Sequence, residues 1–439
     1  MTPRIVILGG GSVGMFTALR LQRRLRAGEA HITLIDVDSY MTYQPFLPEA
    51  AAGNLEARHV VVSLRRVLPR CTILNGVIED IDTGRREVSF RPHRGQARSV
   101  GYDLLVVCPG SISRTLPVPG LAESGIGFKT VEEAIHLRNH VLGQLDLAAS
   151  TDDEAIRREA LTFVFVGAGF AGVEALAELE DMAHDACRYY PGVEPSDLKW
   201  YLIEATDRIL PEVGPEMGAW TLEQLRARGI DVRLKTSLES AVDGRIVLDD
   251  GSVFDAATLV WTAGVKPNPV VAHGDLPLDG KGRVRATPFL NVVGHDEVFA
   301  AGDCAAVPDL TKPGQYTAPN AQHAIRQARV LADNLLATIR GTARRPYRHA
   351  YAGSVASLGL HKGVAQIYGV KLRGPLAWFV HRTYHLSRMP TTNRKARVLM
   401  DWTLALFFRR DITALAALSD PRREFEYAAM TERTVSHAR

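Results

Sequence analysis

One pattern of apolar and polar positions occurs twice in this chain. A short apolar run, Ile5 to Leu8, ends in Gly9-Gly10-Gly11 and passes into residues with apolar side chains at helical spacing, IVILGGGSVGMFTAL. The second copy, TFVFVGAGFAGVEAL, ends its apolar run at Gly167-Ala168-Gly169 and opens a helical pattern in the same way. A short apolar run bounded by glycine reads as a buried strand, and the period that follows reads as a helix. Further strands are expected at HITLID, LLVVCPG, KWYLIE and LVWTAGVKPN. A long helix is expected over AQHAIRQARVLADNLLATI, after Pro319 and with Asn320 as its N-cap. Strands alternating with helices predict an α/β fold with parallel sheets.

Both strand-to-helix turns carry glycines in GxGxxG spacing: Gly9, Gly11 and Gly14 in the first, Gly167, Gly169 and Gly172 in the second. One glycine permits the tight turn, one lets the backbone approach a pyrophosphate, and one lets the helix pack on the strand. The pyrophosphate then sits at the positive helix N-terminus. Each turn is followed by a strand ending in an acid, Asp36 and Glu204. Such an acid accepts hydrogen bonds from ribose hydroxyls and repels a 2'-phosphate, so the second site is expected to prefer NAD(H), with Arg208 four residues on weakening that preference. The fold class expected is α/β, with two Rossmann-like dinucleotide-binding domains and a C-terminal amphipathic helical segment.

Composition narrows the class. The 439 residues suit two or three domains, and 46% hydrophobic content supports substantial cores. No signal-peptide pattern opens the chain, and no uncharged apolar run of spanning length occurs. Cys71, Cys108, Cys187 and Cys304 are scattered without CxxC or zinc spacing, so no structural disulfide or metal site is expected, and all four read as small apolar filler. Net charge is +3 overall but unevenly placed. Residues 343–439 hold 17 Lys and Arg against 6 Asp and Glu, a balance of +11 that leaves −8 on residues 1–342.

The segment TPFLNVVGHDEVFAAGDCAAVP, ending a strand at Gly302 and Asp303, resembles the third FAD-binding motif of the two-dinucleotide-binding flavoproteins. Gly110 and Gly264 resemble that superfamily's crossings beside each nucleotide. The resemblance implies FAD at the first fingerprint and NADH at the second. It also implies a FAD-binding domain built from residues 1–118 and 276–345, an NAD(H)-binding domain at 119–275, and a C-terminal membrane-association or dimerisation region at 346–439. No cysteine pair follows the first fingerprint, which excludes disulfide-reductase chemistry.

Taken together, the motifs resemble the type II NADH:quinone oxidoreductases. YQPFLPEAAAGNLEARHV is similar to that family's FQPLLYEVATG region near flavin and quinone, which carries over Gln44, Pro45, Phe46, Glu49 and Gly53. GFAGVE places Glu174 near the nicotinamide and flavin. APNAQHAIRQ resembles PTAQxAxQQ, placing Ala321 and Gln322 at the flavin's pyrimidine edge. The chain departs from the family at Arg326, where many members have glutamine, and retains Gln327. The resemblance implies catalytic roles for Glu174 and Gln322. Arg326 joins them on its own chemistry, as a guanidinium able to hydrogen-bond a quinone carbonyl but costly in an apolar pocket unless paired, and the quinone site is expected at Phe46, Gln322, Arg326 and Gln327. Glu174 also reads, without the resemblance, as a first-turn helix acid favoured by the helix dipole. The expected activity is FAD-dependent NADH oxidation with two-electron reduction of menaquinone or ubiquinone, without proton pumping. A different acceptor, or an NADH-binding redox sensor, are the alternatives.

The basic C-terminal quarter combines aromatic and cationic residues in GPLAWFVHRTYHLSRM and NRKARVLMDWTLALFFRR, two helices broken at Pro390. Trp378, Phe379, Trp402, Phe407 and Phe408 are the candidate apolar anchors. Arg382, Arg388, Arg394, Lys395, Arg397, Arg409 and Arg410 are the candidate partners of anionic headgroups, each worth about 1 kcal/mol at such a surface. The competing readings are a homodimer interface, packing on the enzyme's own core, or nucleic acid, for which no binding module is present. His381 and His385 stand four apart without a third metal ligand. The expected location is peripheral, on the cytoplasmic face of the cell membrane.

Overall fold

The computed structural model describes residues 2–349, 353–415, 422–423 and 425–427. Most of the 346–439 region beyond Leu415 therefore lies outside the described residues.

Two five-stranded parallel sheets form the framework. In the first, Thr72–Asn75, His31–Asp36, Arg4–Leu8, Leu104–Val107 and Val298–Ala300 lie side by side. In the second, the order is Asp231–Leu234, Lys199–Glu204, Thr162–Val166, Thr258–Trp261 and Gly125–Ile126. Leu104–Val107, Thr162–Val166 and Thr258–Trp261 are buried at every residue. A parallel sheet covered on both faces requires this, which is why these strands read as unbroken apolar runs and not as alternation.

Each fingerprint strand is central in its sheet, with the acid-bearing strand on one side and the crossing strand on the other. The chain reverses its direction of progress at that point, which opens a crevice at the strands' carboxyl ends. Val298–Ala300 joins the first sheet only after the whole second sheet has passed in sequence. The helix Ala321–Ile339 then packs along the first fingerprint helix, Ser12–Arg24, where Thr17 Oγ1 donates to Ala328 O and Arg20 pairs with Asp333 at 2.8 Å. Asn320 caps it by accepting the His323 N–H at 2.9 Å. The two crossings, Ser111–Ser113 and Val265–Pro267, pair antiparallel and bring the two units' glycine turns toward one another.

The C-terminal region holds an element the apolar pattern does not announce. An antiparallel sheet of Gly353–Ser357, Gly363–Ile367 and Val370–Arg373 precedes the two helices, Gly374–Arg388 and Thr392–Leu404. The break at Pro390 is present, and Thr391 caps the second helix through Arg394 N. That helix stops at Leu404, short of the expected Arg410, leaving Phe407 and Phe408 in the turn beyond it.

Candidate functional site

The three glycines of each fingerprint do three different things. Gly9 and Gly167 have φ of +103° and +104°, and a Cβ on either would strike the backbone ending the neighbouring crossing strand, at Cys108 or at Thr262. A Cβ on Gly14 or Gly172 would collide with the carbonyl oxygen of Gly9 or Gly167, so helix and turn touch only because those side chains are absent. Gly11 and Gly169 have ordinary extended backbone and no atom within 4 Å of a built Cβ. Both are helix N-caps without a side-chain cap, and neither helix has an acid in its first turn. The first N–H groups of each helix thus face open space, with the dipole's positive end behind them, an arrangement that takes an anion.

The two acids close the turns identically. Asp36 Oδ2 accepts from Gly10 N, and its Oδ1 accepts from Asp38 N at 2.8 Å. Glu204 Oε2 accepts from Ala168 N and Oε1 from Thr206 N, both at 2.8 Å. Each carboxylate is held in place by backbone while keeping lone pairs for a ribose diol. Burial pushes the Asp36 pKa up, against the lowering effect of those N–H groups. Arg208 is exposed four residues beyond Glu204.

A cleft of about 750 Å³ runs from the first fingerprint turn past Asp36 and Gln44 to Gly110, Gly302, Asp303 and Ala321. These sequence-predicted residues are brought to one cavity. Two groups that the sequence reading passed over complete it. Ser111 Oγ donates to Asp303 Oδ2 at 2.7 Å and accepts from Lys129 Nζ at 2.7 Å. Burial lowers the Lys129 pKa, opposed by Asp303 and Glu133. The sequence signal that places Lys129 is the capping box after it, in which Thr130 and Glu133 start the helix Val131–Ser150 and fix the residue before it at the cleft. Gln44 Nε2 donates to Lys129 O at 3.0 Å. Gly264, φ +95°, lies in the other unit's crossing strand turn.

Ala321 is exposed on the cleft, but the residues after it divide. Gln322 Nε2 donates to Gly353 O at 3.1 Å, and its Oε1 lies 2.9 Å from His349 Nε2. Arg326 is half-buried and donates to Gln322 O at 2.9 Å. Burial, Arg326 and His323 together pull the His349 pKa down to about 4. Gln327 does not face a headgroup. It is 0% exposed, its Oε1 accepts the Gly302 N–H at 2.7 Å, and its Nε2 donates to Thr317 Oγ1. Its amide fixes the Gly302 turn from below. Phe46, expected at the quinone, is likewise 0% exposed and packs edge-on against Trp402 with ring centroids 5.6 Å apart. Gly53, φ +72°, leaves room only for the Asp411 carbonyl, whose oxygen also accepts from Arg138.

Glu174 is buried in the second turn of its helix, not the first, and beyond the reach of the dipole that the first-turn reading invoked. Its Oε1 accepts from Ser357 N at 2.8 Å and lies 3.1 Å from His381 Nε2. Burial lowers the His381 pKa, but the carboxylates of Glu174, Glu49 and Glu178 outweigh it and the net shift is upward. One turn along, Glu178 accepts from Ser357 Oγ at 2.7 Å and Asn54 Nδ2 at 3.0 Å, and burial with nearby Glu49 pushes its pKa up to about 7. Glu49 Oε2 accepts from Arg382 at 2.7 Å and from Trp402 Nε1 at 2.8 Å. The Arg382 guanidinium also stacks on the Trp378 ring. Trp402, Trp378 and Arg382, expected at a surface, therefore face inward. Phe379, Phe407 and Phe408 remain exposed.

The cysteines are all free, and three of them are buried. Burial pushes Cys304 up to about 12 and Cys71 and Cys187 up to about 11, and raises Cys108 as well, so none is poised as a thiolate. No helix among the described residues is long and apolar enough to cross a membrane.

A model of the pyridine nucleotide-disulphide oxidoreductase family matches residues 3–328, and one of the NDH2 C-terminal domain matches residues 351–411. The type II NADH:quinone oxidoreductase NdhA of Mycobacterium tuberculosis is 29% identical over 424 residues, covering 92% of this chain and 87% of that protein. The type II NADH:quinone oxidoreductase of Staphylococcus aureus is 29% identical over 388 residues, covering 86% and 93%. The solved NDH2 from Plasmodium falciparum in complex with NADH superposes with a TM-score of 0.87 at 17% identity, over 94% of this chain and 100% of that one. The sulfide:quinone oxidoreductase of Aquifex aeolicus gives 0.70 at 16% identity, over 93% and 96%. At these identities the structural likenesses show the fold.

Proposed function

The chain belongs to the pyridine nucleotide-disulphide oxidoreductase family, and from that premise we propose that it oxidises NADH through a bound FAD and delivers two electrons to a membrane quinone, menaquinone or ubiquinone. The observation that carries the reading is the pair of open fingerprint turns, at Gly11 and at Gly169, each backed by a backbone-pinned acid. In this reading residues 1–118 and 276–345 hold FAD, 119–275 hold NADH, and the C-terminal region meets the membrane.

The first cleft fits a flavin dinucleotide. Gly11 leaves the helix N-terminus clear for a pyrophosphate, Asp36 suits a ribose, and Asp303 with Ser111 offers acceptors and a donor to a polyol chain. A bound flavin supplies the two-electron relay between nicotinamide and quinone, so no side chain changes oxidation state. The chain's own part is orientation and charge. Lys129 and the N-terminal end of the Ala321–Ile339 helix both bring positive potential to the cleft, the helix end being worth roughly 0.3–1 kcal/mol exposed and ~2 when partly buried. Glu204 excludes a 2'-phosphate from the second site. In this reading Glu174 and Gln322 are assigned to the reaction, and Arg326 to the acceptor side.

Exposed Phe379, Phe407 and Phe408, with Arg409 beside them, support contact with the cytoplasmic face of a membrane by residues that lie on it. The proposal includes a homodimer, which sedimentation at two protein concentrations would detect. The decisive experiment is anaerobic rapid mixing of the flavin-loaded protein, first with NADH and then with menaquinone or ubiquinone. Fast bleaching of flavin absorbance followed by fast quinone-dependent recovery is expected. Bleaching without recovery would remove the quinone from the proposal and leave the NADH half standing.

A further inference from the structure

A second cleft, of about 550 Å³, opens away from the nucleotide sites, between the Glu56–Arg66 segment and the start of the Thr392–Leu404 helix. Arg58 and Arg66 enter it from one side, Arg394 and Arg397 from the other, with Asn393 between. Like charges repel at this range unless something neutralises them. One carboxylate, Glu56, also lines the cleft, where it accepts the Arg58 backbone N–H at 3.4 Å, so four guanidiniums face a single acid, and Asp401 is 2.6 Å from His59 Nδ1. No carboxylate among the described residues pairs with Arg58, Arg66 or Arg394. Arg397 reaches only His59 Nε2, at 3.3 Å. Burial and the neighbouring guanidiniums of Arg397 and Arg66 draw the Arg394 pKa down.

The surroundings say which anion. Met400 and Leu404 follow Arg397 by three and seven residues, on the same helix face, and both are exposed. Phe407 and Phe408 extend that apolar ridge, at 77% and 66% exposure. Guanidinium groups suited to bidentate contact with phosphate oxygens thus stand at the end of a ridge suited to acyl chains.

We propose that this cleft binds the phosphate of an anionic phospholipid headgroup, clamping the Thr392–Leu404 helix to the body of the enzyme while the Met400, Leu404 and Phe407 ridge enters the membrane surface. The proposal rests on the membrane-surface reading given above and names the chemistry that surface must present.

The test is flotation of the flavin-loaded protein with vesicles of phosphatidylcholine alone or mixed equally with phosphatidylglycerol. Wild type is expected to bind the mixed vesicles. Arg58→Gln with Arg66→Gln, both on exposed side chains of the main body, should weaken that binding about 30-fold. The control Arg85→Gln with Arg94→Gln removes the same charge from exposed positions in the separate sheet that spans Val77–Gly101, and should cost less than about threefold. Melting midpoints that match wild type exclude misfolding. Equal losses in the two double variants would reduce the effect to diffuse charge and overturn the site. Stabilisation by inorganic phosphate that depends on Arg58 and Arg66, with vesicle binding unchanged in the variant, would assign the pocket to free phosphate and overturn the lipid. Wild type that floats with neither vesicle would remove the membrane-surface reading itself, and this inference with it.

Discussion

Glu49 and Arg382 form a buried ion pair, 2.7 Å from carboxylate to guanidinium, across 333 residues of sequence. It ties the segment beside the first cleft to the first C-terminal helix, and Trp402 adds a second donor to the same oxygen. Removing one partner strands the other charge away from water. Arg382→Leu is expected to destabilise the protein by about 3–5 kcal/mol, and the double change Arg382→Leu with Glu49→Gln by much less. A double-mutant cycle on melting or denaturant midpoints measures the difference. Equal losses in single and double variants would show that packing on Trp378, not charge, holds the helix.

The glycine geometry separates folding from binding. Gly11→Ala and Gly169→Ala place a methyl where the protein has no atoms, on backbone that alanine adopts freely, so both proteins should fold normally. Gly11→Ala should lose flavin on desalting, and Gly169→Ala should keep flavin while the KM for NADH rises about tenfold or more. Gly14→Ala and Gly172→Ala drive a methyl into a carbonyl oxygen and should yield little folded protein. Absorbance ratios of flavin to protein, with circular dichroism, distinguish these classes.

In the proposed reading nucleotide choice rests on Glu204, whose two oxygens are held by Ala168 N and Thr206 N. Glu204→Gln keeps an acceptor and removes the charge, with Arg208 nearby to meet a 2'-phosphate. The ratio of kcat/KM for NADH over NADPH should fall about tenfold or more, the scale of one like-charge contact at a partly screened site. An unchanged ratio would mean that the acid does not face the ribose.

Glu178 makes stability depend on pH. Its folded pKa, about 7, lies above the ordinary glutamate value of 4.5, so between the two the folded protein holds a proton that the unfolded chain releases. The resulting stabilisation is complete below about 4.5 and is lost as pH rises through about 7. Glu178→Gln, neutral at every pH, should melt higher than wild type at pH 8 and show a flatter dependence between those two values. A wild-type profile that stays flat across this window would place the Glu178 charge in a better-solvated setting than its burial indicates.

In the proposed reading Arg326 stands on the acceptor side. Because it holds the Gln322 carbonyl and lowers the His349 pKa, Arg326→Gln should raise that pKa toward the ordinary histidine range. If Arg326 also meets the quinone, the variant's KM for quinone should change at least threefold while flavin reduction by NADH keeps its rate. Nuclear magnetic resonance titration of His349 reads the first effect, and the two half-reactions measured separately read the second.

The sequence by itself determined the local machinery. Strand, glycine turn, helix and acid follow one another within a few dozen residues, so Gly9, Gly11, Gly14 and Asp36, and their counterparts Gly167, Gly169, Gly172 and Glu204, are fixed by short-range geometry that any reading of spacing recovers. The α/β class and the Asn320 cap were legible for the same reason. What only the tertiary structure decided were pairings between distant segments. Whether Gln327 meets a ligand or the Gly302 turn, whether Phe46 meets a quinone and Trp402 a membrane or the two pack on each other, and whether Arg382 seeks a headgroup or Glu49 depends on which helix faces close together. An amphipathic basic helix satisfies the same one-dimensional pattern whether its aromatic side lies on a membrane or on its own enzyme. Burial, which makes an unpaired charge costly and a partner obligatory, chooses between them only once the chain has folded.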